Sequence, residues 1–276
     1  MNKTKDALKP LDERSIKLRG KIINVLGCAG RGHLGAAFSL VEILRVLFDS
    51  IMHYDAHNPK WSGRDRFILS KGHGCLALYV LLEEKGFFSE EELWKFCRFE
   101  GILGGHPDPK VPGIEVSTGS LGHGFSVAVG MAVNGKYEKA DYKVFAVLGD
   151  GECDEGAVWE AAMSASKHKL DNLVAIVDYN KHQSYASTYE VLDLEPFADK
   201  WRSFGFEVRE VDGHDVTTLE GVFANIPAVK GKPTVIICHT VKGKGVAFTE
   251  NNLEWHHKSG LKEEQIKSLL SGLEVY

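Results

Sequence analysis

Short apolar runs alternate along this chain with stretches in which apolar residues recur at helical spacing. The runs that are typical of strands buried on both faces are Phe67–Leu69, Val144–Leu148, Leu173–Val177, Thr234–Cys238 and, more weakly, Phe206–Val211. The stretches with helical spacing are Ile16–Val25, Leu40–Phe48, Ala157–Lys167 and Phe197–Phe204. This alternation predicts an α/β fold with a mostly parallel central sheet and helices on both faces.

Two shorter signals add to this pattern. Ser89 followed by Glu92 predicts a capping box and a short helix through about Phe96, while Pro196 stands where a helix can start. No linker, low-complexity tract or repeat interrupts the chain. We therefore expect a single domain over residues 1–276.

Charge and composition narrow the class of protein. Lys+Arg number 33 against 38 Asp+Glu, so the formal net charge is -5, which gives no reason to expect a nucleic-acid or anionic-membrane partner. The longest apolar stretch, Cys75–Leu82, is far shorter than the roughly 18–20 residues of a bilayer-spanning helix. The N-terminus lacks the apolar core of a secretory signal, so we expect a cytoplasmic protein. The five cysteines are widely spaced and predict reduced, mostly buried thiols.

Polar residues follow two of the predicted strands. Gly149-Asp150-Gly151 comes directly after one buried run, and Asn180 follows the next run along the chain. Because ligands of parallel α/β sheets bind beyond the carboxyl ends of the strands, this carboxylate and this carboxamide are expected at one edge of the sheet. Such hard oxygen donors suit Mg²⁺ or Ca²⁺, and glycines before a helix N-terminus suit phosphate.

Three alternative structures compete with a ligand site at Gly149-Asp150-Gly151. A turn that merely ends the strand would also account for these residues. An EF-hand fails because loop positions six and twelve are Glu155 and Ala161 instead of glycine and glutamate. A dinucleotide fold is weakly supported, since no Gly-x-Gly-x-x-Gly follows a strand.

In its extended form the pattern resembles the thiamine diphosphate motif of the transketolase family. The matching residues are Gly149-Asp150-Gly151, Glu155-Gly156, Trp159-Glu160-Ala161-Ala162 and Asp178-Tyr179-Asn180-Lys181. The resemblance implies the thiamine diphosphate-binding fold known as the PP domain. It also implies thiamine diphosphate and Mg²⁺ as cofactors, with Ca²⁺ or Mn²⁺ as substitutes. The implied metal ligands are the side chains of Asp150 and Asn180 and the backbone carbonyl of His182.

The same resemblance implies a set of cofactor contacts. Gly119 and Leu121 lie in the family-like loop Ser117–Gly124, and Gly151 would contact the diphosphate. Lys242 follows the last buried run, where a cation could meet phosphate. The remaining expected cofactor contacts are His73, Glu152, Asp178, Asn180 and His256.

Twelve histidines are present, and most are expected to be ordinary surface or core residues. His33, His73 and His106 lie in glycine-rich segments, and similar segments of transketolases supply histidines around the thiazolium. The resemblance implies substrate or proton-transfer roles for His33, His106 and His256, because imidazoles can move protons while a carbon–carbon bond breaks and forms. It places His73 nearer the diphosphate. His257 is expected to have no functional role.

Two glutamates carry a further expectation. Glu155 and Glu160 resemble the family's glutamates at the subunit contact, where a carboxylate network links paired active sites. The alternative is that they are charges of the first helical turn, which helix-dipole effects favour.

The resemblance covers roughly residues 10 to 260 and matches only the first domain of a full-length transketolase. The second domain of the family supplies the glutamate that activates the cofactor's pyrimidine ring. We therefore expect an N-terminal subunit of a two-chain transketolase, which works with a separate pyrimidine-domain chain in an α2β2 heterotetramer. Such an enzyme transfers a two-carbon ketol (glycolaldehyde) unit from a ketose phosphate or related sugar to an aldose acceptor.

Three alternatives stay open at this point. The enzyme could be specialised for an unusual ketose, such as a sulfonated, branched or deoxy sugar. The chain could belong to a thiamine diphosphate enzyme acting on a 2-oxo acid, or it could be a non-catalytic binding module. One departure from the family pattern bears on the first: Ser184 stands where related sequences tend to have isoleucine, and Tyr185 follows it. We hypothesise that these two residues alter the choice of donor or acceptor.

Overall fold

The computed structural model describes residues 11–275. Its helices are α1 (Glu13–Ala29), α2 (Leu34–Val46), α3 (Cys75–Glu84), α4 (Glu90–Trp94), α5 (His123–Tyr137), α6 (Gly156–Lys167), α7 (Thr188–Val191), α8 (Phe197–Ser203), α9 (Val216–Ala224) and α10 (Glu263–Glu274). Its strands are β1 (Arg31–Gly32), β2 (Arg66–Leu69), β3 (Val144–Gly149), β4 (Leu173–Tyr179), β5 (Glu207–Asp212), β6 (Thr234–His239) and β7 (Lys258–Ser259).

Five of these strands form one parallel sheet in the order β2-β3-β4-β6-β5. All five predicted strands are present, and the predicted α/β fold with a parallel sheet is confirmed. In the register of the sheet Gly149 is opposite Asp178, and Tyr179 is opposite His239. The loops that follow β3, β4 and β6 therefore begin side by side at one edge.

Both faces of the sheet are covered by helices. Phe145 and Val147 of β3 join a core that includes side chains of α1, α2 and α3, whereas Val144, Ala146 and Leu148 join a second core with α5, α6 and α8. Alternate residues of one strand thus enter different cores. This burial on two faces explains why the strands appear in the sequence as unbroken apolar runs.

The helices depart further from expectation than the strands. The sequence pattern does not predict α3, because its residues 75–82 are all buried and a helix that is apolar all round has no polar face to mark its period. Helices α9 and α10 are also absent from the prediction. The capping box at Ser89 is wrong: its side chain makes no cap hydrogen bond, and α4 ends at Trp94. The cysteines are free thiols as expected, with Cys28 exposed.

The antiparallel pair β1–β7 joins the two ends of the described chain. Arg31 is opposite Ser259, and Gly32 is opposite Lys258. This pairing places the segment that contains His256 and His257 against the segment that begins with His33.

Among the helices of the described residues, none is long and apolar enough to span a membrane.

A buried charge network fixes the loop after β6. The Arg19 guanidinium is fully buried and forms two hydrogen bonds, of 2.6 and 2.9 Å, with the Glu42 carboxylate. Glu42 also accepts a hydrogen bond from His214 Nδ1 at 2.7 Å, while His214 Nε2 accepts one from the backbone N–H of Val241 at 2.9 Å. Arg19 Nε donates to the carbonyl oxygen of Lys244 at 2.7 Å. Both ends of the Val241–Lys244 loop are therefore held by one network.

Burial alone would raise the pKa of Glu42, but Arg19 and His214 hold it far below its usual value. We expect Glu42→Gln to lower the free energy of unfolding by about 3 kcal/mol or more, because it leaves the buried Arg19 charge uncompensated. Urea denaturation measures the change. Glu263→Gln is the matched control: its carboxylate pairs with Lys267 at the surface and should contribute less than about 1 kcal/mol. Equal effects of the two substitutions would contradict the role of the network.

Candidate active site

A cavity of about 230 Å³ lies beyond the carboxyl ends of β3 and β4. Its wall brings together most residues that the sequence predicts for cofactor, metal and substrate. These are His33, His73, Gly119, Leu121, Asp150, Gly151, Glu152, Asn180, His182, Lys242 and His256. Segments from residue 33 to residue 256 thus converge on one site.

Asp150 and Asn180 present oxygen atoms at this wall. The Asp150 carboxylate is buried and accepts hydrogen bonds from the backbone N–H groups of Gly151 and Lys181. Asn180 Oδ1 accepts one from the backbone N–H of His182 at 3.1 Å. These bonds orient the oxygens, and each oxygen keeps a lone pair for a further partner. Burial, reinforced by the neighbouring Asp178 carboxylate, raises the pKa of Asp150 to about 6.

Asp178 lies behind the wall instead of on it. Its fully buried carboxylate pairs with Lys71 Nζ at 2.5 Å and accepts hydrogen bonds from Ser39 Oγ at 2.6 Å and from Thr240 Oγ1. Burial alone would raise the pKa of Asp178, but the Lys71 ammonium holds it below its usual value. Asp178 therefore positions Lys71, which lines the cavity. Sequence reasoning missed Lys71, although it stands in Ser70-Lys71-Gly72-His73 beside a predicted site histidine.

Lys242 reaches the cavity from the loop after β6. Its Nζ donates to the carbonyl oxygens of His182 at 2.8 Å and Gln183 at 2.7 Å. Burial, together with the Lys71 charge, lowers the pKa of Lys242 to about 8. Gly35 makes this approach feasible, because a Cβ there would lie 3.2 Å from Lys242 Cγ. The carbonyl predicted as a third metal ligand is thus already oriented by a lysine.

Glu152 ties three segments of the wall together. Its carboxylate accepts hydrogen bonds from Ser70 Oγ, from the Gly122 N–H at 2.9 Å and from the Gly149 N–H at 3.1 Å. Burial raises its pKa. A glycine supports the same junction: a Cβ on Gly72 would lie 2.9 Å from the backbone carbonyl carbon of Thr118. Glu152 therefore holds three segments of the wall together, and it also lines the cavity as a predicted cofactor contact would.

Four imidazoles cluster around that of His33. The distances between ring centroids are 5.5 Å to His73, 6.3 Å to His106, 5.5 Å to His256 and 4.7 Å to His257. His106 lines an adjoining cavity that shares His33 and His73 with the first one. His257, for which the sequence predicts no role, is the ring nearest to His33. Its position follows from the β1–β7 pairing, which no local pattern in the sequence predicts.

Burial keeps the central imidazoles neutral. It lowers the pKa of His33 to about 4, with help from His257 and His106, and the pKa of His256 to about 3, with help from Lys242. The pKa of His73 is also well below its usual value, again mainly through burial. At neutral pH each of these rings has one N–H donor and one acceptor nitrogen. They can therefore exchange protons with hydroxyl groups.

Glu155 and Glu160 are not brought to the cavity. Both side chains are exposed, Glu155 just before α6 and Glu160 within it. Ser184 lines the cavity, whereas Tyr185 is 72% exposed. Of the two residues that depart from the family pattern, only Ser184 therefore faces the site in this chain.

Residues 15–274 match the family described as "Transketolase, thiamine diphosphate binding domain". The chain belongs to the transketolase family. The predicted family is confirmed, and the match spans the sheet and the whole cavity wall described above.

Relatives with transketolase names match most of this chain. An apulose-4-phosphate transketolase subunit of Phocaeicola vulgatus is 46% identical over 247 residues, which cover 90% of this chain and 88% of the relative. The 6-deoxy-6-sulfo-D-fructose transketolase subunit of Clostridium sp. (strain MSTE9) is 42% identical over 265 residues, or 96% of each chain. A transketolase structure from Campylobacter jejuni superposes with a TM-score of 0.88 at 32% identity and covers 95% of this chain. This chain spans 42% of that longer one.

His33 and His256 of this transketolase-family chain stay neutral when folded, and this predicts a pH dependence of its stability. We expect the free energy of unfolding to fall as pH decreases from about 6.5 to about 4, because unfolded imidazoles bind protons that folded His33 and His256 do not yet take up. After allowance for partial exposure the loss is on the order of 1 kcal/mol per histidine. Urea denaturation at several pH values measures it.

His33→Asn and His256→Asn should each flatten this pH dependence. His53→Asn removes an imidazole whose side chain is 75% exposed and is the matched control, which should keep the wild-type slope. If all three variants lost stability with falling pH as steeply as the wild type, the neutral state of the buried rings would be refuted.

Proposed function

We propose that this chain is the diphosphate-binding subunit of a two-chain transketolase. It would bind thiamine diphosphate with Mg²⁺ and, together with a pyrimidine-domain subunit, transfer a two-carbon ketol unit from a ketose to an aldose acceptor. The observation that carries the proposal is the shared cavity wall of Asp150, Asn180, Lys242 and the central histidines.

Two features of the cavity fit an anionic cofactor and its metal ion. His256 Nδ1 is buried and has no hydrogen-bond partner within residues 11–275, and a buried ring nitrogen in this state calls for a ligand. Asp150 and Asn180 offer oriented oxygens at the same wall, a donor set that suits Mg²⁺. Lys71 and Lys242 add positive charge beside them, which suits a diphosphate.

In the proposed mechanism Asp150, Asn180 and the His182 carbonyl would hold Mg²⁺, whose charge would offset that of the diphosphate. Lys242 would contact the diphosphate from the loop after β6. When bound, thiamine diphosphate supplies the electron sink for the carbanion formed on C–C cleavage. The protein contributes position and charge around it.

The histidines perform the proton steps. His33 and His256 line the cavity in their neutral forms, so an acceptor nitrogen can take the proton of a sugar hydroxyl and an N–H can hydrogen-bond to the resulting oxygen. His106 approaches from the far side of His33 and would contact the same sugar. Their mutual packing fixes the rings in their neutral forms, so each keeps one nitrogen that can accept a hydrogen bond from a hydroxyl.

Several observations support a sugar substrate and a partner subunit. The relatives from Phocaeicola vulgatus and Clostridium sp. are named as subunits, and this chain covers most of their length.

The exposed Glu155 and Glu160 can join a subunit contact, and we propose an α2β2 heterotetramer located in the cytoplasm. The names of these relatives specify a ketose phosphate and a sulfonated ketose, so we propose a ketose with a terminal anionic group as donor.

Asp150→Ala tests the cofactor site. We expect the Kd of Mg²⁺-dependent thiamine diphosphate binding to rise about 100-fold or more, because even groups that only orient a metal ligand are worth about 10–100-fold. Calorimetry on the complex with the pyrimidine-domain chain measures it. Asp199→Ala, which removes an exposed carboxylate paired with Arg202, is the control. Unchanged Mg²⁺-dependent binding by Asp150→Ala would rule out this metal site.

His106→Ala tests the proton chemistry separately. We expect kcat to fall about 100-fold or more, in line with the loss of a general acid–base group, while thiamine diphosphate still binds as in the wild type. A ketol-transfer assay of the reconstituted complex and calorimetry give the two readouts. His53→Ala should retain full activity. Normal turnover by His106→Ala would remove that residue from the mechanism.

A further inference from the structure

A second, smaller cavity of about 60 Å³ adjoins the first on the far side of His33 and His73. Because one water molecule needs roughly 10–15 Å³ of such a cavity, its volume suits about four to six non-hydrogen atoms, a range that includes a tetrahedral oxyanion. Its polar wall is formed by Arg31, His106 and His257 together with the two shared histidines. Nothing in the family motif points to Arg31 or His257.

The β1–β7 pairing explains how these side chains meet. Gly32 is opposite Lys258, so extension of the register by one residue sets His33 opposite His257. Residues two apart on a strand point to the same side, and directly opposite residues share a face. Arg31, His33 and His257 therefore project from one face of this short ladder, which agrees with the 4.7 Å between the His33 and His257 rings.

The lining of this cavity favours an anion through the positive charge of Arg31 and the N–H groups of neutral imidazoles. Its lining contains one guanidinium and four imidazoles but no aspartate or glutamate. Within the part of the chain that the structure describes, no carboxylate forms an ion pair with Arg31. An exposed guanidinium that lines a cavity and pairs with no carboxylate of the described residues is suited to bind phosphate or sulfonate through paired N–H groups.

We propose that Arg31 and His257 form a subsite for a tetrahedral oxyanion group of the substrate, phosphate or sulfonate, separate from the diphosphate cavity. Its use as a substrate subsite rests on the proposed function, whereas its affinity for an oxyanion does not. The first test is therefore independent of activity.

The binding test follows the imidazole signals of the full chain by NMR during titration with inorganic phosphate. The His257 signal is assigned by its absence from the spectrum of His257→Asn. We expect this signal to shift saturably, and Arg31→Gln to weaken the apparent affinity about tenfold or more through loss of a charge-assisted hydrogen bond. Methanesulfonate, titrated in the same way, shows whether sulfonate or phosphate is preferred.

Arg98→Gln is the matched control, because it removes an exposed arginine of the neighbouring segment that does not line the cavity. Equal weakening by Arg98→Gln and Arg31→Gln would show general attraction of anions and would overturn the subsite. So would a His257 signal that neither anion shifts. Unchanged thermal unfolding of Arg31→Gln confirms that the variant is folded.

The kinetic test uses the complex with the pyrimidine-domain subunit. Arg31→Gln should raise KM about tenfold for substrates with a terminal phosphate or sulfonate, with kcat unchanged. For uncharged analogues, which are the same sugars without that terminal group, KM should stay unchanged. Equal KM changes for charged and uncharged substrates would overturn the substrate role. A complex inactive with every ketose would contradict the proposed function instead, and the phosphate titration would still decide whether the oxyanion subsite exists.

Discussion

The site depends on one buried ion pair at the carboxyl edge of the sheet, between Lys71 and Asp178. A charge that is fully removed from water is tolerated only with close partners, and loss of one partner is strongly destabilising. Asp178 satisfies this requirement with groups from three separate segments, since Ser39 lies in α2 and Thr240 follows β6. The pair therefore locks these segments together and fixes the floor on which the cavity is built.

The same pair shapes the electrostatics above it. Asp178 lies close enough to raise the pKa of Asp150, and Lys71 lowers the pKa of Lys242. The first effect disfavours the negative charge of Asp150, which suits a metal ion. The second disfavours the positive charge of Lys242, which suits an anion. Binding of a metal ion to Asp150 and of an anion to Lys242 would relieve both penalties at once. The disfavoured charges of Asp150 and Lys242 would therefore promote joint binding of the metal ion and the anion.

How much the sequence predicts depends on whether the signal is local. The strand Leu173–Val177 and the placement of Asp150 beside Asn180 follow from apolar runs and from the rule that parallel strands end at one edge. Lys71 and Asp178 are 107 residues apart, and Glu42 and His214 are 172 apart. No periodicity reports such pairings. The resemblance to the transketolase family predicts the central histidines. It does not predict His257, which is brought to His33 by the two-residue pairing of β1 and β7.

Charge and basicity are divided between different residue types at this site. The lysines supply positive charge near the expected diphosphate, whereas burial keeps His33 and His256 uncharged. If these rings were cationic, they would hold anions tightly but could not accept a proton. Lys242 contributes to this division, because its charge helps to lower the pKa of His256. The groups that would hold the cofactor therefore also help to keep the nearest imidazole neutral, with one nitrogen that can accept a hydrogen bond from a hydroxyl.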